Sequence, residues 1–219
     1  MKERPIIFNS EMVRAILEGR KTQTRRIIKP QPTIKPRILK NKDGVFWSLM
    51  DKCLFQKSPY GTIGDKLWVK ETWFEWVKNN PEQLPYLYKA TTPSDEIEIL
   101  RQSGHAIKWK PSLFMPRRAL RISLENINIR VERLKDITEK DAKAEGVEYR
   151  IDGLFGSETG IKGYIDYEKM FLTKKHPSFC VHYKTAKESF KSLWNFINSK
   201  RGYVWDANPF VWVIEFKNL

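Results

Sequence analysis

Gly19-Arg20-Lys21-Thr22-Gln23-Thr24-Arg25-Arg26 is the stretch on which the reading of this chain turns. Four of its eight residues are cationic and two are threonines, and it lies between an apolar segment and a proline-rich one. On its N-terminal side Met12, Val13, Ile16 and Leu17 recur at helical spacing. Asn9 or Ser10 can cap that helix, and Gly19 fits the left-handed position after its end. The octet therefore starts at a helix terminus. In a regular strand Lys21 and Thr24 would point to opposite faces, so bringing them together requires a turn or bulge between them. Taken alone, the octet also reads as a solvated basic strand edge that discourages aggregation or touches phosphate.

Outward from the octet, residues 29 to 63 carry prolines, scattered charges and few periodic apolar positions. They read as a long excursion with a hairpin around Asp43-Gly44. Gly64-Asp65 is a turn signal, and Leu67 to Trp73 is a strand by composition. Residues 74 to 108 are polar and variable, with a hairpin expected around Leu84 to Ala90. Two strands are expected next, near Ala119 to Leu124 and Ile127 to Leu134. In the second, Ile127, Ile129 and Val131 lie on a mainly apolar face. Thr138-Glu139-Lys140-Asp141 has the pattern of a capping box, opening a helix that Gly146 closes. Residues 147 to 184 form a second long insertion. Ala186 to Ser199 is the clearest helix, with Phe190, Leu193, Trp194 and Ile197 on one stripe, and Phe210 to Phe216 closes the chain as a buried strand. Strands and short helices without β-α alternation predict an α+β fold: one domain over residues 1 to 219, built on a small β-barrel with flanking short helices and insertions at about 29–63 and 147–184.

The formal net charge is +14, which favours an anionic partner such as RNA, DNA or a nucleotide. No run approaches the roughly 18 apolar residues of a membrane span. Met1 to Pro5 is not followed by a signal-type apolar run, so a soluble, cytoplasmic protein without membrane association is expected. Cys53 and Cys180 lack metal-type spacing and read as buried, inert thiols. His105, His176 and His182 form no ligand pattern. No metal, no cofactor and no protein partner is predicted.

Three separated segments resemble one family. Ile16 to Arg26 is similar to the signature of the ASCH domain, a PUA-like β-barrel associated with RNA. Gly64 to Val69 resembles its second strand entry, and Trp212 to Phe216 its closing strand. Trp109-Lys110-Pro111-Ser112, Met115-Pro116-Arg117 and Trp205 to Pro209 extend the similarity to the larger ASCH proteins of phages and prophages. Small bacterial ASCH enzymes hydrolyse the acetyl amide of N4-acetylcytidine with a Lys-Thr-Glu trio. The resemblance implies Lys21 and Thr24 from the octet, and Glu145 from Thr138 to Glu145.

The chemistry is consistent with those residue types. Amide hydrolysis needs a nucleophile, a proton acceptor that later donates, and a holder for the oxyanion. Thr24 can attack once a base takes its proton. Lys21, crowded by Arg20, Arg25 and Arg26, is pushed toward its neutral form. Glu145, at the negative end of a helix, is placed to act as a general acid. Arg20, Arg26, Lys110 and Arg117 are candidate contacts to a nucleoside or RNA, and Trp68 or Trp109 a stacking surface. Each tryptophan also reads as core, Trp194 and Trp212 most clearly. Glu71 is either an alternative acid or a salt-bridge partner of the arginines. Beside the cofactor-free amidohydrolase stand two other readings: a non-catalytic RNA-binding module and a ribonuclease.

Overall fold

A computed structural model describes residues 2–32, 37–41, 44–48, 55–75, 86–104, 107–152, 161–172 and 182–219. Cys53, Cys180, His105, His176 and the residues around Leu84 lie outside them.

In chain order the elements are β1 (Glu3–Ile7), α1 (Ser10–Leu17), β2 (Gln23–Ile27), β3 (Arg37–Asn41), β4 (Gly44–Ser48), β5 (Phe55–Lys57), β6 (Lys66–Lys70), β7 (Trp73–Glu75), β8 (Tyr86–Tyr88), α2 (Ser94–Gln102), β9 (Ser123–Arg133), α3 (Glu139–Ala144), β10 (Tyr149–Asp152), β11 (Ile161–Ile165), α4 (Tyr167–Leu172), β12 (His182–Tyr183), α5 (Ala186–Asn198) and β13 (Phe210–Asn218). Local chemistry sets several boundaries. The Asn9 side chain accepts from Met12 N at 2.8 Å and opens α1, a cap whose loss costs about 1 kcal/mol. Thr138 and Asp141 form the reciprocal capping box of α3. Gly19 and Gly146 end α1 and α3 with φ of 72° and 86°, a region open to glycine.

The central sheet has the order β1-β6-β9-β13-β2, with β1 parallel to β6 and the other neighbours antiparallel. This corrects the expected small barrel: the sheet is open, and the chain is a mixed α/β fold. Among the described residues no ladder joins the edge strands β1 and β2. Laid flat, those edges would stand about 19 Å apart. The sheet instead curls, and the Arg26 guanidinium donates to Ile7 O at 2.7 Å while lying 5.0 Å from the Phe8 ring. A side chain bridges the gap that backbone pairing leaves.

β13 is buried on both faces, as its unbroken apolar run requires. Phe210, Trp212, Ile214 and Phe216 face a core with Ile6, Phe8, Leu67, Val69 and α1, while Val211 and Val213 face α3 and α5. The two strands expected between Ala119 and Leu134 are one, β9. Its pairing with β13 slips between Glu215 and Phe216, opposite Asn128 and Asn126, so Ile127 is the extra residue of a bulge. A one-residue slip exchanges faces, which leaves Ile127 46% exposed and Asn126 buried, against the simple alternation.

Smaller sheets are attached to this frame. β3, β4 and β5 form one three-stranded sheet in that order, with Asn41 opposite Gly44, and β10, β11 and β12 form another. β7 pairs with β8 over Trp73, Met115 and Ala119.

Candidate functional site

β2 is an edge strand, and its residues divide by their cross-strand partners. Thr24 lies opposite Ile214 and Arg26 opposite Trp212, on the α1 side, whereas Arg25 lies opposite Val213, on the α5 side. Lys21 precedes the strand. Its backbone N donates to Ala15 O at 2.9 Å, the next amide, Thr22 N, donates to Ala144 O at 2.9 Å, and Lys21 forms an isolated bridge with Glu145. The ends of α1 and α3 thus hold this segment, and the parity conflict between Lys21 and Thr24 disappears because Lys21 is outside the regular strand. Gly146 allows the approach: a Cβ there would meet Lys21 Cβ at 2.8 Å.

The Lys21 ammonium is buried, and its three donors go to Gln23 O at 2.8 Å, Glu145 O at 2.8 Å and Glu145 Oε2 at 3.0 Å. Arg25 Nη1 donates to Glu145 Oε1 at 3.0 Å. Glu145 caps the end of α3 with both carboxylate oxygens accepting from cations. Two cations at contact distance thus stand beside the helix end that the sequence reading considered alone. Arg25 Nη2 continues to Glu132 at 3.2 Å and Asp141 at 3.6 Å, and Arg130 ties Glu132, Asp141 and Glu215 together. Burial holds the Lys21 amine below the ordinary lysine value, and Glu145 only partly opposes it. At Asp141 burial pushes upward, but hydrogen bonds from Thr138 and the charges of Arg25 and Arg130 outweigh it and hold the carboxyl below its usual range.

Beside this cluster is a cavity of about 230 Å³ at the unpaired edge of β2. Thr24, Arg25, Arg26 and Glu145 supply one wall, Tyr60 a second, and Phe190, Leu193 and Trp194 of α5 the third. The cavity takes residues from both faces of β2 because the sheet does not close there. Lys21 is not in the lining; it stands behind Glu145. Thr24 is 1% exposed, and Arg25 Nε is buried without a hydrogen-bond partner. Burial raises the Tyr60 hydroxyl above its ordinary value.

The structure does not bring the remaining sequence candidates to this cavity. Arg20 is nearest in sequence and binds Glu18 and Gly146 O, which fastens the octet to α3. Glu71 is 1% exposed and is gripped by Arg121, Nε to Oε1 and Nη2 to Oε2, each at 2.8 Å. Of the two roles open to Glu71, the ion pair is therefore the one present, with an arginine outside the octet. Trp68 is half-buried, with Lys70 Nζ 5.4 Å and the Arg117 guanidinium 6.0 Å from its ring. Arg117 pairs with Glu3, and Lys110 lies over Trp73 and reaches Glu75. Sequence reasoning missed three contributors: Arg25 as the second holder of Glu145, Tyr60, and the α5 wall. Only Arg25 carried a signal, as the residue inside the motif next to Thr24. Among the described residues no group of three His, Cys, Asp or Glu is placed to hold a metal, and no helix is long and apolar enough to cross a membrane.

Comparison with protein-family models, curated proteins and solved structures finds no match.

Proposed function

We propose that the chain is a cofactor-free amidohydrolase acting on N4-acetylcytidine or a related acylated nucleoside. The observation that carries this reading is the joint placement of Thr24 and Glu145 in one small cavity, with buried Lys21 bonded to Glu145 behind it. The ASCH-like motif supplies the reaction class. The volume, about 230 Å³, is below the roughly 300–1,000 Å³ of typical small-molecule sites and so favours a nucleoside-sized ligand over a polymer.

In this reading the Thr24 hydroxyl oxygen attacks the acyl carbon, and its proton passes to the Lys21–Glu145 pair. The pair protonates the departing cytosine amine as the C–N bond breaks. Water then cleaves the Thr24 ester, releasing acetate and restoring the hydroxyl. A lysine with a depressed pKa beside a carboxylate is suited to shuttle one proton in both directions. Arg25 keeps the carboxylate in place and faces the developing oxyanion with a spare donor.

The test is conversion of N4-acetylcytidine to cytidine by purified protein, beside Lys21→Ala, Thr24→Ala and Glu145→Gln variants shown to be folded by circular dichroism. Turnover that collapses in all three supports the trio. Folded wild-type protein without turnover would exclude this substrate. The second reading, an RNA-binding module, rests on half-buried Trp68 with two cations near its ring, Lys70 and Arg117, and predicts RNA affinity that falls with salt.

A further inference from the structure

The charges around the cavity do not balance. Its lining includes Arg25, Arg26 and Arg201 against a single carboxylate, Glu145. That carboxylate is already held by Lys21 and Arg25, so it pairs directly with neither Arg26 nor Arg201. Arg26 makes its side-chain hydrogen bond to a neutral carbonyl, Ile7 O, and among the described residues no carboxylate lies within ion-pair distance of Arg26 or Arg201. The two guanidinium groups repel each other: Arg201 adds to the burial that lowers the Arg26 pKa, while Tyr60 and Glu145 oppose it. Arg25 Nε adds a buried donor that lacks an acceptor in the same wall. Like charges gathered without counter-charge, and a buried donor left open, are costly arrangements that an anionic ligand relieves. The lining also carries Phe190, Leu193 and Trp194 of α5, apolar and aromatic side chains that suit a planar base.

We propose that Arg26 and Arg201 form a phosphate subsite, so that the ligand of this cavity is a phosphorylated nucleoside. The inference rests on the cavity being the site, as in the reading above, and narrows its substrate class from nucleosides to nucleotides. Arginine suits the role because its planar fork matches two phosphate oxygens at once.

The experiment compares binding of cytidine, cytidine 5′-monophosphate and the dinucleotide cytidylyl-cytidine to the full chain by calorimetry at low salt, in wild type and in Arg201→Gln and Arg26→Gln variants. Arg201 is exposed, so its replacement leaves the packed core untouched. The monophosphate is expected to bind about tenfold or more tighter than cytidine, with the advantage shrinking to about twofold in Arg201→Gln. A dinucleotide sharing the advantage assigns the phosphate to a strand; an advantage confined to the monophosphate assigns it to a free nucleotide. No advantage for either phosphorylated ligand, or one unchanged in both variants, overturns the subsite. Hydrolysis of N4-acetylcytidine and of its 5′-monophosphate is read separately. Hydrolysis without any phosphate preference removes this inference alone. Phosphate-dependent binding without hydrolysis of either compound removes the amidohydrolase reading and leaves the subsite.

Discussion

Glu145 and Glu71 are both almost wholly buried carboxylates held by two charge-assisted hydrogen bonds from basic side chains, yet their surroundings differ. Glu71 gives both oxygens to one arginine, Arg121, whose side chain is 26% exposed and lies 4.0 Å from the Tyr88 ring. That pair is a self-contained clamp with one end in water. Glu145 divides its oxygens between two fully buried cations, one of which also reaches two further carboxylates, and it borders a cavity. A buried acid on a base is therefore no mark of a site by itself. The added marks at Glu145 are the cavity, the orphaned Arg25 Nε and the presence of Thr24 in the same lining.

Removing each acid tests that contrast most severely. Glu145→Ala leaves Lys21 and Arg25 buried with an open hydrogen-bonding position, and its cost in urea unfolding is expected to be about 3–5 kcal/mol. Glu71→Ala leaves an arginine that can turn toward water, and about 1–3 kcal/mol is expected from the same measurement. Equal losses would mean that the two clusters are alike. A smaller effect, about 1–2 kcal/mol, is expected for Gly146→Ala, because φ of 86° is strained for alanine and the new methyl group meets Lys21 and Ala15. Stability of the wild type is the control for that variant, and an unchanged midpoint would show that the Lys21–Glu145 bridge tolerates displacement.

The smallest effect is one of pH. Asp141 titrates below its ordinary 3.8 in the folded protein. A carboxyl depressed by folding stabilises the protein above its unfolded value and loses that contribution as pH falls through the folded one. Asp141→Asn is thus expected to be less stable than wild type at pH 7, with the gap narrowing only as pH falls below 3.8. A gap constant from neutral to acid pH would separate Asp141 from the charge network.

Elements decided by local chemistry were legible in the sequence. The Asn9 cap, the Thr138–Asp141 box, the α5 stripe and the apolar β13 all stand where residue type and spacing put them. Features decided by distant pairing were not. β1 is a short, half-polar segment that becomes a strand only through parallel pairing with β6, some 60 residues later. Ile127 looked like a face residue because a bulge is a property of two strands, not one. The expected barrel failed for the same reason: closure depends on whether β1 and β2 pair, and in this chain a side chain, Arg26, spans the gap. At the site, the motif contained Lys21, Thr24 and Arg25, but their relation to Glu145 depends on the ends of α1 and α3 meeting.

On the proposed function, the difference between Glu145 and Glu71 is that between a reacting group and a structural clamp. It is tested most directly by kcat/KM for N4-acetylcytidine hydrolysis in Glu145→Gln and Glu71→Gln, at a temperature where both variants remain folded. A fall of about a hundredfold or more is expected for Glu145→Gln and a change within a few-fold for Glu71→Gln. Retained turnover in Glu145→Gln, or an equal fall in both, would contradict it.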